Sequence, residues 1–331
     1  MTISQAAANS HNACNHITNK GAMKDSDKKK GIPLKDTECI VKPKVSLSSY
    51  TSYRVGGPAE WYVAPRSLES LEASVEYAKE HDLSITVLGA GSNLLIGDDG
   101  IPGLVIATRH MRHANFDSET GMVTFAAGES IPALAWAAAE RGWEGFEWAV
   151  GIPGTIGGAV VMNAGAHNSC IADILVSVEV LTTEGTLQTL SGEQLNYSYR
   201  TSVLQGSKLI VTQATLQLQP GADPAEVTAR TKQHKKHRLA TQPYHLPSCG
   251  SVFRNPKPHS AGRLIEETGL KGFKIGQAQV AQLHANFIVN CGGATANDIF
   301  NLIRHVQHQV QDRWSIKLHP EVKMLGEFQA A

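Results

Sequence analysis

Ser84-Ile85-Thr86-Val87-Leu88 runs straight into Gly89-Ala90-Gly91-Ser92-Asn93. Ile85, Val87 and Leu88 are apolar and the glycines bound the run, so the segment reads as a strand ending in a glycine loop. Upstream, Trp61 to Ala64 reads as a short strand. Ser67 then caps a helix whose Leu68, Leu71, Val75 and Ala78 recur at helical spacing. The order is strand, helix, strand, glycine loop. Such a loop lets backbone N–H groups converge on phosphate oxygens without obstruction by Cβ atoms. It is not a dinucleotide fingerprint of the GxGxxG type, because the third glycine would fall at Leu94. It lacks the Gly-Lys-Ser/Thr of a Walker A loop as well. Taken alone, it is equally well a plain strand-to-turn connection.

A second glycine region, Gly151-Ile152-Pro153-Gly154-Thr155-Ile156-Gly157-Gly158 with Asn163-Ala164-Gly165 behind it, changes that balance. Two glycine clusters in one candidate domain point to a long diphosphate ligand gripped from two sides. Between them lie strand candidates at Leu104 to Ala107 and Val123 to Ala127. A helix from Ile131 to Arg141 is capped by Ser130 and ended by Gly142. Val176 to Thr183 and Thr186 to Leu190 form a hairpin about Glu184-Gly185, and Leu209 to Leu218 is a long strand. Past Pro220, Asp223-Pro224-Ala225-Glu226 starts a helix with a capping box. A domain boundary is placed there. A strand near Val252, a helix from Ser260 to Thr268, a strand from Asn286 to Asn290 and a helix from Thr295 complete a mixed α and β chain.

The 331 residues carry 30 Lys+Arg against 30 Asp+Glu, which argues against a dedicated nucleic-acid binder. Hydrophobic content of 42% excludes wholesale disorder. No apolar run reaches the roughly 18 residues of a membrane-spanning helix, so no membrane insertion is expected. The start, MTISQAAANSHNACNH, lacks the basic and apolar regions of a secretory signal. Cys14, Cys39, Cys170, Cys249 and Cys291 are odd in number and widely spaced without a CxxC pair. Free thiols in a reducing cytoplasm are expected, with neither a disulfide framework nor a structural metal. Residues 1–44, rich in Asn, Ser and Lys, read as a disordered tail.

Among polar candidates, Arg200 in Tyr199-Arg200-Thr201-Ser202 reads equally as a surface residue or a site residue. Ser251 follows the flexible Gly250 but lacks a GxSxG nucleophile elbow. Glu321 in His319-Pro320-Glu321-Val322 reads by composition as solvent-exposed. His234 and His237 have a metal-compatible spacing, yet Lys235 and Lys236 repel a cation, so this helix reads as a solvated basic face.

Six motifs in this order resemble the UDP-N-acetylenolpyruvoylglucosamine reductase family over about residues 50–328. They are Tyr53-Arg54-Val55-Gly56-Gly57-Pro58-Ala59, Gly89 to Leu95, Gly151 to Gly158, Tyr199 to Ser202, Gly250 to Pro256 and His319 to Val322. The short link from Ser202 to Leu209 is similar to the shorter subtype, which lacks an inserted substrate-covering loop. The resemblance implies an α+β fold. A two-part FAD-binding domain of the PCMH/vanillyl-alcohol-oxidase type occupies 45–107 and 108–221. A smaller α/β substrate-binding domain fills 222–331, with a last strand that can return to the first unit. It implies an FAD-dependent oxidoreductase in which NADPH serves the reduction of UDP-N-acetylglucosamine enolpyruvate to UDP-N-acetylmuramate, in cytoplasmic peptidoglycan precursor synthesis. A monomer is expected.

The resemblance also assigns residues. Arg200 and Glu321 match the positions that stabilise an enolate, and Ser251 matches the proton donor. Tyr199, Arg200 and Asn255 match substrate contacts. Tyr53, Arg54, Gly56, Gly89, Ala90, Gly91, Ser92, Asn93, Leu94 and Leu95 match the first part of the FAD path. Pro153, Gly154, Thr155, Gly157, Gly158, Asn163 and Gly165 match the rest. Related oxidases attach FAD through a His in the first loop; no His stands there, so noncovalent FAD is expected. Two rivals stay open: a flavin oxidase acting on a small hydroxy acid with oxygen, and a noncatalytic nucleotide-binding module.

Overall fold

A computed structural model describes residues 31–329. The first unit contains β1 (Ile32–Pro33), β2 (Ile40–Ser46), β3 (Pro58–Val63), α1 (Leu68–Glu80), β4 (Ile85–Leu88), β5 (Leu94–Ile96) and β6 (Ile101–Ala107). Its main sheet has the order β1-β2-β3-β6-β4, with β3, β6 and β4 parallel and β1 and β2 added antiparallel. Helix α1 starts where Ser67 and Ser70 satisfy each other's backbone N–H groups, and it buries Leu71, Val75 and Ala78. That apolar face packs with Leu104 and Ile106 of β6.

The disordered tail expected over residues 1–44 is corrected by this sheet. Residues 1–30 lie outside the described residues, but order begins well before Tyr53. Strand β2 pairs with β3, and Leu34, Cys39 and Val41 are buried in the first unit's core. Lys44 takes a left-handed φ of 52° and drops out of the register between Pro43↔Trp61 and Val45↔Ala59. The irregular, Lys-rich appearance of this strand hid its buried Val41.

The second unit contains β7 (Ala114–Asp117), β8 (Met122–Ala126), α2 (Ile131–Ala139), α3 (Ile156–Met162), β9 (Gly165–Ala166), β10 (Ser169–Cys170), β11 (Leu175–Leu181), β12 (Leu187–Ser191) and β13 (Ile210–Gln217). An antiparallel sheet of order β12-β11-β13-β8-β7 packs with α2 and α3 around Phe125, Phe146, Trp148 and Val160. The Ser130 side chain makes no capping bond, and α2 ends at Ala139 rather than Arg141. Helix α3 interrupts the second glycine region, with Thr155 Oγ1 accepting the Gly158 N–H at its start.

Helix α4 (Pro224–Thr241) is capped by Asp223 alone, whose carboxylate accepts the Ala225 N–H at 2.9 Å. It packs on α2 and on the 3₁₀ turn Glu147–Gly151, where Arg230 meets Glu144 and Glu147. The passage into the third unit, expected at residue 222, therefore comes after Thr241.

The third unit holds α5 (Ala261–Glu267), β14 (Lys274–Ile275), β15 (Ala278–Val280), β16 (Ile288–Asn290), α6 (Ala296–Trp314) and β17 (Lys323–Leu325). Helix α6 buries Ile299, Leu302, Ile303, Val306 and Val310, the stripe its spacing predicts. The expected strand at Val252 is a single bridge between Phe253 and Pro320. Strand β17 pairs in parallel with β5, Lys323 opposite Leu94. Tyr53, Val55 and Leu95 of the first unit sit inside the third unit's core. Among the described residues no helix is long and apolar enough to cross a membrane.

Candidate active site

The two glycine regions meet. Ser92 Oγ donates to the Pro153 carbonyl at 2.7 Å. A Cβ on Gly89 would lie 2.6 Å from Thr155 Oγ1, so the loops touch only because Gly89 is bare. Gly91 adopts a φ of 64° and its Cα packs against the Tyr50 carbonyl. Among the described residues the N–H groups of Ala90, Gly91, Ser92 and Asn93 donate to no protein acceptor, nor do those of Gly154 and Thr155. N–H groups without internal acceptors, on two glycine-rich segments that touch, fit the diphosphate of FAD.

Several residues assigned to the FAD path also hold the frame together. Leu94 and Leu95 have left the loop and pair with Lys323 and Met324. Tyr53 is fully buried, and its hydroxyl has no hydrogen-bond partner. Its carbonyl accepts from Asn290 at 2.9 Å, so the residue anchors the first unit to the third. Gly56, at φ 126°, abuts Ile96, and Gly157 donates to the Ala127 carbonyl. Arg54 and Pro153 do line a cleft of about 370 Å³ between the units.

Arg200 and Glu321 form the charged centre. Arg200 Nε donates to Glu321 Oε1 at 3.0 Å, both side chains largely buried. Two further guanidinium donors reach the carbonyls of Asn163 (3.3 Å) and Gly165 (2.6 Å). Asn163, itself left-handed, donates from its side chain to the Ser198 carbonyl and accepts the Ala172 N–H. Asn163 and Gly165 thus build the Arg200 pocket. Burial raises the Glu321 carboxyl above its ordinary range, and the positive charges of Arg200 and Arg254 offset part of that rise. Tyr199 lies half-exposed with Arg200 5.0 Å over its ring.

Ser251 stands on the neighbouring segment. The Glu321 N–H donates to the Val252 carbonyl at 2.7 Å, and Arg254 N–H to that of His319 at 2.9 Å. The Ser251 hydroxyl makes no hydrogen bond among the described residues, and Gly250 before it is left-handed at 74°. Buried Cys249 points its sulfur at the Leu94 carbonyl, 3.3 Å away, tying this segment to the first glycine loop. Asn255 is exposed and its side-chain oxygen accepts the Ala261 N–H.

Sequence reasoning missed three residues here. Arg238 lies within the supposedly solvated basic face, yet it folds over Gly151 and lines the cleft. Its Nε donates to the Tyr244 hydroxyl, which donates to the Gly151 carbonyl, each at 2.7 Å. Arg254 projects toward Arg200 and Thr201. Local sequence gave none of them a role: Tyr244 acts on Gly151, 93 positions away, and Arg254 on Arg200, 54 positions away. His167 meets the His234 ring at a tilt and the His237 ring edge-on, and no group of three or more His, Cys, Asp or Glu among the described residues is placed to hold a metal.

Comparison with known proteins agrees over the whole chain. Residues 59–191 match the family described as FAD binding domain, and residues 242–325 match UDP-N-acetylenolpyruvoylglucosamine reductase, C-terminal domain. The chain is 70% identical over 331 residues to the UDP-N-acetylenolpyruvoylglucosamine reductase of Nostoc punctiforme, covering 100% of both. It is 58% identical over 297 residues to that of Acaryochloris marina, covering 90% of this chain and 96% of the relative. The crystal structure of the reductase from Thermus caldophilus superposes with a TM-score of 0.74 at 37% identity, over 86% of this chain and 99% of that one.

Proposed function

The chain belongs to the UDP-N-acetylenolpyruvoylglucosamine reductase family, and from that membership we propose that it reduces UDP-N-acetylglucosamine enolpyruvate to UDP-N-acetylmuramate at the expense of NADPH. The setting is peptidoglycan precursor synthesis in the cytoplasm. FAD, when bound, would supply the hydride chemistry, with NADPH as the reductant. The free amides of Ala90 to Asn93, with those of Gly154 and Thr155, would hold its diphosphate noncovalently.

Addition of hydride to the enol ether carbon distal to the carboxylate leaves an enolate whose charge spreads onto that carboxylate. Arg200 is the fixed cation for that charge. Glu321, kept toward its protonated form by burial, donates a hydrogen bond to the same group. The Ser251 hydroxyl, free of protein partners, gives its proton to C2. A serine hydroxyl is a weak acid in water, so this transfer relies on the enolate as a strong base and on close placement. Tyr199 and Asn255 flank the substrate.

The observation that carries this reading is the Arg200–Glu321 bond, held beside the Ser251 segment through the Val252 carbonyl. A noncatalytic nucleotide binder has no use for a buried cation and carboxylate beside a free hydroxyl. The test is direct. Under anaerobic conditions NADPH bleaches the flavin, and UDP-N-acetylglucosamine enolpyruvate restores its colour with formation of UDP-N-acetylmuramate. Absence of either step rejects the reading.

A further inference from the structure

We propose that Arg254 is a positioning residue for the enol ether reduction, gripping the backbone of the turn that carries Arg200 so that the Arg200 guanidinium stays aligned on Glu321 and the substrate carboxylate. The inference rests on the functional reading above. The motif Gly250 to Pro256 contains this arginine without giving it a role, and no step of the chemistry described so far uses it.

The turn needs such a grip. Ser198 and Thr201 exchange backbone hydrogen bonds at 3.1 and 3.0 Å, and Arg200 occupies the third position of the turn with a φ of 57°. A residue with a Cβ is strained there, and glycine or asparagine is the usual occupant. Strain of this kind persists only where surrounding contacts over-determine it. The Arg200 carbonyl receives two donors: Gln205 Nε2 at 2.9 Å and Arg254 Nη2 at 3.1 Å. Arg254 Nη1 donates to Thr201 Oγ1 at 3.4 Å. One planar guanidinium thus holds two successive residues of the turn.

Arg254 also holds the other half of the site. It lies three residues after Ser251 on the same segment, and its own N–H donates to the His319 carbonyl, two residues before Glu321. Its Nε is buried without a hydrogen-bond partner, so the side chain sits there at a cost that the one contact of Nη1 and the one contact of Nη2 must offset. Its charge reaches Glu321 and Lys323. Arg254 therefore sets the Arg200 turn, which belongs to the second unit, against Ser251 and Glu321 of the third. Lysine cannot replace this fork, because an ammonium is a point donor without the planar pair.

The experiment uses the FAD-loaded full chain and follows both half-reactions by stopped flow. Arg254→Met is expected to leave flavin reduction by NADPH within about twofold of wild type. Reoxidation by UDP-N-acetylglucosamine enolpyruvate is expected to slow about 100-fold, the scale of a small misplacement at a reacting centre. Arg254→Lys, which keeps the charge and guards against a Met variant that fails to fold, should slow reoxidation about 10-fold. The deciding readout is a double-mutant cycle. In an Arg200→Ala background, Arg254→Met should change reoxidation by less than about twofold, because the residue acts through Arg200. An equal loss in both backgrounds, an equal loss in both half-reactions, or no loss at all overturns the assignment. A wild-type enzyme that NADPH fails to reduce, or that the enolpyruvyl substrate fails to reoxidise, overturns the functional reading before any variant is compared.

Discussion

The side-chain amide of Asn93 donates to the carbonyl of Glu321, 3.2 Å away and 228 positions further along the chain. In return the Lys323 N–H donates to the Asn93 carbonyl at 3.0 Å. One residue of the first glycine loop therefore holds the segment that bears the site's carboxylate. The cradle of free amides and the charged centre cannot shift independently, which is what transfer between a bound cofactor and a substrate requires.

Ser251→Ala separates the two half-reactions. Flavin reduction by NADPH needs no proton at the substrate's C2, whereas reduction of the enol ether does. Stopped flow should show near-normal bleaching and reoxidation slowed by about 10²–10⁴-fold, the usual contribution of a positioned proton donor. Equal slowing of both steps would mark the damage as structural and remove Ser251 from the chemistry.

The pH dependence of reoxidation should carry the signature of Glu321. Burial raises this carboxyl, so it keeps its proton to a pH above the usual glutamate value of about 4.3. If the protonated form is the donor, reoxidation is fastest at low pH and declines as pH rises through the raised value. Glu321→Gln, which donates without titrating, should be slower by about 10- to 100-fold and should lose that limb. A limb unchanged in the glutamine variant would assign it to another group.

Gly91→Val and Gly89→Ala should part company. The Gly91 Cβ would run into the Tyr50 carbonyl at a left-handed φ of 64°, so valine should both lower the melting temperature and empty the protein of flavin. At Gly89 the obstacle is the Thr155 side chain, 2.6 Å from the added Cβ, which can move. Alanine there should leave a folded protein with weaker FAD binding, read by flavin absorbance and thermal melting. Full flavin occupancy in both variants would take this loop out of the cofactor site.

Removal of residues 1–43 should destabilise the first unit. It takes away β1, most of β2, and the buried Leu34, Cys39 and Val41. Each large apolar side chain lost from a core costs about 2–5 kcal/mol, which is comparable with half the stability of a typical domain. Low flavin content and early thermal unfolding of the shortened chain are expected. Wild-type melting with full activity would show that β2 adds nothing to the sheet.

Local chemistry made much of this protein legible from its residues. The Ser67 cap and apolar spacing of α1, the stripe of α6, the hairpin about Glu184-Gly185 and the two glycine loops follow from neighbours within a few positions. The six motifs in register carried the family resemblance as well. The chain could not announce β2, because Lys42, Pro43 and Lys44 mask a strand whose Val41 becomes apolar core only against β3. Glu321 stood beside Arg200 only through the family resemblance, because spacing along the chain cannot show that side chains 121 positions apart touch. Arg254, 54 positions from Arg200, carried no role, and Arg238, which lines the cleft, looked like one more charge on a basic helix. Tertiary structure decided these because an ion pair or a carbonyl grip depends on distance in space. A sequence pattern records only what recurs along the chain, and these partners meet once, where three units close on one another.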